Sequence, residues 1–132
     1  MPYSRFFMEA ANMPEVYFDM SLQSIPEGYL NGEWCVDDRV LNRNSPDSPM
    51  AQATRFTLRP DSLQVHVPGA AESGSWSMER DSLLNRPYLE LRLLQEETRA
   101  LITRLRRSAD GLDNQLILYF QSGMEIQLSR PC

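Results

Sequence analysis

The chain has 132 residues, enough for one domain with a hydrophobic core and too few for two. Its hydrophobic content of 42% and net charge of −5 belong to an ordinary globular chain and argue against a nucleic-acid partner, because phosphate backbones select basic faces. All 13 basic residues are arginine, which excludes Schiff-base and lysine-nucleophile chemistry.

Cys35, Cys132 and the single histidine, His66, fall short of the four ligands of a structural zinc site, and two cysteines are too few for a disulfide framework. No metal or cofactor is implied. No apolar run is long enough to span a bilayer. The first residues, Met1-Pro2-Tyr3-Ser4-Arg5, lack the basic-then-apolar pattern of an export signal. The sequence as written therefore reads as cytoplasmic, and as periplasmic or secreted if a signal has been removed.

Residues 1–26 form a leading segment rich in methionine and aromatics, including Phe6, Phe7, Met8, Met13, Tyr17, Phe18 and Met20. A short helix is predicted over 4–12, ended by Pro14. The segment is too apolar for a disordered tail and is expected to pack on the domain formed by residues 27–132.

From there period-two alternation dominates. The first predicted strand covers 33–38, with Trp34 and Val36 on one face. Residues 39–52 then read as a long loop, rich in Asn, Asp, Ser and Pro. A second strand is predicted over 54–59 (Phe56 and Leu58 inward) and a third over 62–67 (Leu63, Val65 and Val67 inward, His66 outward). A loop over 68–74 leads to a fourth strand at 75–80, with Trp76 and Met78 inward. The fifth, 86–94, turns Leu89, Leu91 and Leu93 inward. The sixth, 99–107, is expected to face Leu101, Thr103 and Leu105 inward and Ile102 outward. The seventh, 115–121, buries Leu116, Leu118 and Phe120; Ser122-Gly123 is a hairpin signal before the eighth, 124–130.

Eight half-apolar strands with short connections make an antiparallel meander, and such a meander closes into an up-and-down β-barrel. Closure also removes the exposed edges of an open sheet. Residues 88–107 admit a second reading as one long helix, which would replace the barrel with an α+β fold; the alternation on both sides of Glu96 favours two strands.

Trp34 and Arg130 share the inward parity of the first and last strands, which are neighbours in such a barrel. A guanidinium there reaches the indole face, a contact worth about 0.5–2 kcal/mol, and Gly32 lets the chain enter closely. Gly32-x-Trp34, the lead-in Ile25-Pro26-Glu27-Gly28-Tyr29-Leu30, the long first loop and Arg130 resemble the lipocalins and their bacterial lipocalin-like relatives in the calycin group. Phe56-Thr57-Leu58, Asp61-Ser62-Leu63 and Gly74-Ser75-Trp76 also look like the middle of the bacterial short forms. The chain departs from them in lacking the C-terminal helix and an obvious counterpart of the lipocalin disulfide.

The resemblance implies a barrel whose open end admits a small apolar molecule. The wall residues would be Phe56, Leu58, Val65, Trp76, Met78, Leu91, Thr103, Leu118, Phe120 and Met124, while Gly32, Trp34 and Arg130 would close the other end. An eight-stranded barrel can equally fill its interior with side chains. The chain then reads as a protein-interaction barrel, an inhibitor or partner-binding module, of which certain bacterial protease inhibitors are examples. A third reading is a bilin lyase or isomerase that uses the cavity. Nothing marks catalytic residues: there is no nucleophile elbow, phosphate loop or metal spacing, and Asp37-Asp38 and Glu96-Glu97 are strand neighbours pointing to opposite faces. Tyr88, Ile102, Ile117 and Tyr119 are read as outward and apolar, in need of cover by the leading segment or by a second copy in a homodimer.

Overall fold

The computed structural model describes residues 16–41 and 47–132. The helix expected over 4–12, and part of the first long loop, lie outside the described residues.

The strands are β1 (Tyr17–Asp19), β2 (Gly32–Val40), β3 (Arg55–Arg59), β4 (Ser62–Val67), β5 (Ala70–Arg80), β6 (Pro87–Leu93), β7 (Glu97–Ser108), β8 (Asn114–Phe120) and β9 (Glu125–Arg130). A 3-10 turn covers Glu27–Leu30 and one helical turn, α1, covers Pro49–Gln52. From β2 to β9 each strand pairs antiparallel with the next, and β9 returns to β2, closing an eight-stranded barrel. Each strand presents one apolar face inward, so closure gathers those faces into a single core. Among the described residues no helix is long and apolar enough to cross a membrane.

Residues 88–107 form two strands. β6 and β7 pair from Tyr88↔Leu101 to Arg92↔Glu97, and the Leu93 amide donates to the Glu96 carbonyl (2.8 Å) to close the turn between them. A helix here would have left β5 and β8 each with one unpaired edge.

Three local expectations are corrected. Residues 70–74 belong to β5, which follows β4 after the two-residue turn Pro68-Gly69. Gly74 pairs with Leu63 on one side and Leu93 on the other. A Cβ there would sit 1.8 Å from the Arg92 carbonyl oxygen, so only glycine permits this close passage.

The second correction concerns β7, whose pairing with β8 shifts register between Ile102 and Arg104. The extra residue changes the inward parity mid-strand. Ala100, Ile102 and Leu105 are buried, while Leu101 is half-buried and Thr103 exposed, its hydroxyl donating to the Ile117 carbonyl (3.2 Å). Thr103 therefore leaves the set of inward residues, and Ile102 leaves the outward set.

The third is β1, which sequence patterning did not indicate. It pairs with the second half of β7, from Tyr17↔Ser108 to Asp19↔Arg106, in line with β6 on the first half. The Met20 amide donates to the Leu105 carbonyl (2.8 Å), and Asp19 takes Arg104 at 2.9 Å and Arg106 at 3.8 Å. Residues 17–20 are thus sewn into the barrel wall by backbone and charge together.

The altered parity makes opposite forecasts for adjacent residues. Ile102→Thr buries an unpaired hydroxyl and should cost about 1–3 kcal/mol of unfolding free energy. Thr103→Val should stay within about 0.5 kcal/mol of the parent. Urea denaturation of the two variants measures both.

Candidate functional site

One end of the barrel is closed by Arg130. Its guanidinium lies 4.2 Å from the centroid of Trp34 and 5.0 Å from that of Tyr29. Nη1 donates to the Asn31 carbonyl (2.8 Å), Nη2 to the Tyr29 carbonyl (2.7 Å) and Nε to the Asn114 side-chain oxygen (3.0 Å). Burial pulls the pKa of Arg130 below its ordinary value, but a guanidinium remains protonated at any pH a folded protein meets. The Trp34 indole N–H donates to the Leu30 carbonyl (2.9 Å), so the one polar atom of this buried ring is satisfied. Gly32 has φ +135°, and a Cβ on it would come within 3.3 Å of Arg130 Nη1.

Residues just ahead of β2 complete this closure. Arg80 donates to the carbonyls of Leu22 (3.0 Å) and Ile25 (3.2 Å), and Asn114 donates to the Tyr29 hydroxyl (3.2 Å). Tyr29, Asn31 and Asn114 were not singled out by sequence reasoning. Their part follows from the arginine's need for acceptors, which a pattern of apolar residues does not reveal.

Cys35 on β2 is disulfide-bonded to Cys132, two residues past β9, with a Cα–Cα distance of 5.4 Å. Sequence reasoning did not foresee this bond. Cys35 faces Ser129 across the β2–β9 pair, so a short overrun of the last strand brings Cys132 beside it.

The opposite end carries the long first loop. Ser48 caps α1 by accepting from the Ala51 amide (3.1 Å), with Pro49 at the first helical position. Ser48-Pro49 is itself a helix-start signal that the loop composition masked. Met50, Ala51 and Ala53 are buried over the barrel mouth. The Met50 amide donates to Glu96 Oε1 (3.2 Å) in the β6–β7 turn, and Arg39 donates to the Ala53 carbonyl.

Between the two ends the interior is packed. Phe56, Leu58, Val65, Trp76, Leu91, Leu118, Phe120 and Met124 all point inward, each 2% exposed or less. Exposure this low leaves little open space against Phe56, Leu58, Val65, Trp76, Leu91 and Leu118 in the middle of the barrel, whereas Phe120 and Met124 border a cleft at the mouth. The Trp76 indole donates to the Arg59 carbonyl (2.7 Å). Met78 is half-buried at the Arg130 end, packed against the core. Thr103 is on the outer surface. A cleft of about 340 Å³ opens beside α1, lined by Met50, Phe120, Met124, Glu96 and Thr98 among others.

His66 is half-buried on the outer face, its Nε2 3.3 Å from Thr57 Oγ1. Among the described residues no three His, Cys, Asp or Glu side chains gather as metal ligands would.

No family model, curated protein or solved structure gives a significant match to the chain. The fold and the geometry of its ends and faces therefore carry the functional reading.

Two forecasts follow from the closed end. Arg130→Lys cannot serve three acceptors laid out for a planar fork and should cost about 2–4 kcal/mol, read by thermal or urea unfolding. Reducing the Cys35–Cys132 bond, which closes a loop across a separation of 97 residues, should remove up to about 4–5 kcal/mol by the loop-entropy relation. Unfolding curves with and without reductant give that difference, and a Cys132→Ser variant should reproduce it.

Proposed function

We propose that the protein is a binding module for another protein, with a filled lipocalin-like barrel as its scaffold. The observation that carries this reading is the packed interior, which leaves no room between the inward side chains for a guest. Both ends are also covered, one by the Arg130 closure and the other by α1. A rigid closed barrel with fully paired strands is a suitable frame for displaying an outer face to a partner. The Cys35–Cys132 bond further supports an oxidising compartment, such as a periplasm or the cell exterior, as the place of action.

A second reading, a container for a small apolar molecule, is favoured by the cleft at the mouth. Its floor includes Met50 and Met124, side chains that repack readily around a guest. In that case α1 would have to lift from Glu96 before a ligand could reach Phe120 and the residues beneath.

Native mass spectrometry of the protein purified from its source organism separates the two. The binding-module reading expects a mass with no small-molecule passenger, lighter than the reduced chain by two hydrogens. A stoichiometric apolar passenger released on denaturation overturns it in favour of the container.

A further inference from the structure

The barrel closes along a seam that its backbone ladder does not finish. β9 pairs with β2 from Val40↔Glu125 to Cys35↔Ser129, and the pairing stops there. Two further steps of that register would set Pro131 opposite Glu33, and proline has no amide to donate, so the ladder cannot continue. On the far side of each strand the pairing goes on. Gly32, Glu33 and Trp34 stay bound to β3, and Arg130 stays bound to β8 opposite Asn114.

Among the described residues, two links join the start of β2 to the end of β9 beyond the last backbone pair. The first is the Arg130 guanidinium, which binds the Tyr29 and Asn31 carbonyls and covers the Trp34 ring. The second is the Cys35–Cys132 bond, which fastens the chain past β9 to β2. One link is a set of reversible contacts and the other is covalent. The covalent one lies within reach of solvent, since Cys132 is exposed and Cys35 half-buried. A cleft of about 490 Å³ borders it, lined by Gly32, Glu33, Asn114, Arg130, Pro131 and Cys132 among others. Non-covalent contacts at the frayed end of a ladder open locally without the rest of the fold.

We propose that the Cys35–Cys132 bond is a redox latch on the Arg130 pole. While oxidised it holds the seam between β2 and β9 shut; its reduction by a dithiol lets the seam fray and uncovers Trp34. The exchange balances in electrons and protons. The dithiol closes to a disulfide, and Cys35 and Cys132 each gain one electron and one proton to become thiols. The other strand pairs of the ring are untouched, so the opening is local, and reoxidation reverses it. This inference goes beyond the binding-module reading and does not depend on what the barrel binds.

The two tryptophans supply an internal comparison. Each is buried with its indole N–H on a backbone carbonyl, Trp34 on Leu30 beside the seam and Trp76 on Arg59, three strands round the barrel. Exchange of the two indole protons with deuterium is followed by NMR on the whole protein in low urea, oxidised and with dithiothreitol. Reduction should carry the Trp34 rate about tenfold or more above the Trp76 rate and make it insensitive to urea, the mark of an opening that exposes little surface. Trp76 should keep the steep urea dependence of global unfolding. Cys132→Ser should reproduce the reduced behaviour without dithiothreitol and show no response to it.

The proposal is overturned if reduction moves both indole protons together with one urea dependence, because the bond then acts on the whole fold and not on the seam. An unchanged ratio of the two rates overturns it as well. So does complete unfolding on reduction, read by circular dichroism, since a latch leaves the other strands in place. None of these results bears on whether the native mass carries a passenger, so the binding-module reading is judged separately.

Discussion

The barrel depends on the guanidinium of Arg130. A ring of eight strands has no edges, but it has two open ends where backbone groups turn away from the ladder and apolar side chains meet water. At one of them Arg130 spans the space between the chain entering β2 and the chain leaving β9, binding two carbonyls of the former and the side chain of Asn114 on β8. Its planar face rests on Trp34, so one cation satisfies polar atoms at its perimeter and covers an apolar ring with its surface. The first strand of the ring and the last are thereby joined through one side chain as well as through their backbone pairing.

The same economy recurs in the wall. β7 serves three partners: β6 along its first half, β1 along its second, and β8 through a register shift in between. The shift is a local irregularity with two separate effects. Inward, it keeps Ile102 and Leu105 both in the core, although their separation would put them on opposite faces of a regular strand. Outward, it sets Leu101 between two tyrosines.

Much of this architecture was legible in the residues. Alternation located all eight barrel strands, and Ser122-Gly123 marked a turn that the structure contains. The helix alternative for 88–107 was open because leucines at spacings of three and four fit both periods. What the alternation hid is physically specific. A bulge leaves no composition signal, so Thr103 kept the parity of Leu105, although Ala100 and Ile102 already carried the opposite parity. The loop composition of 39–52 concealed a capped helical turn whose Met50 is as buried as any core side chain. The disulfide depended on where a two-residue overrun of the last strand falls, a matter of three-dimensional register. The wall residues of the interior were legible as inward positions, whereas side-chain packing decides whether such positions enclose a space, and no periodicity encodes that.

Both ends of the described chain leave the barrel at the same pole. Val16 is held at the β7–β8 turn, its carbonyl accepting from the Ala109 amide (2.8 Å), and Cys132 is fastened to Cys35 near the start of β2. A rigid attachment made at Val16 or at Cys132 would therefore hold the barrel by the same pole, with α1 at the far pole and the flank formed by β6, β7 and β8 turned sideways.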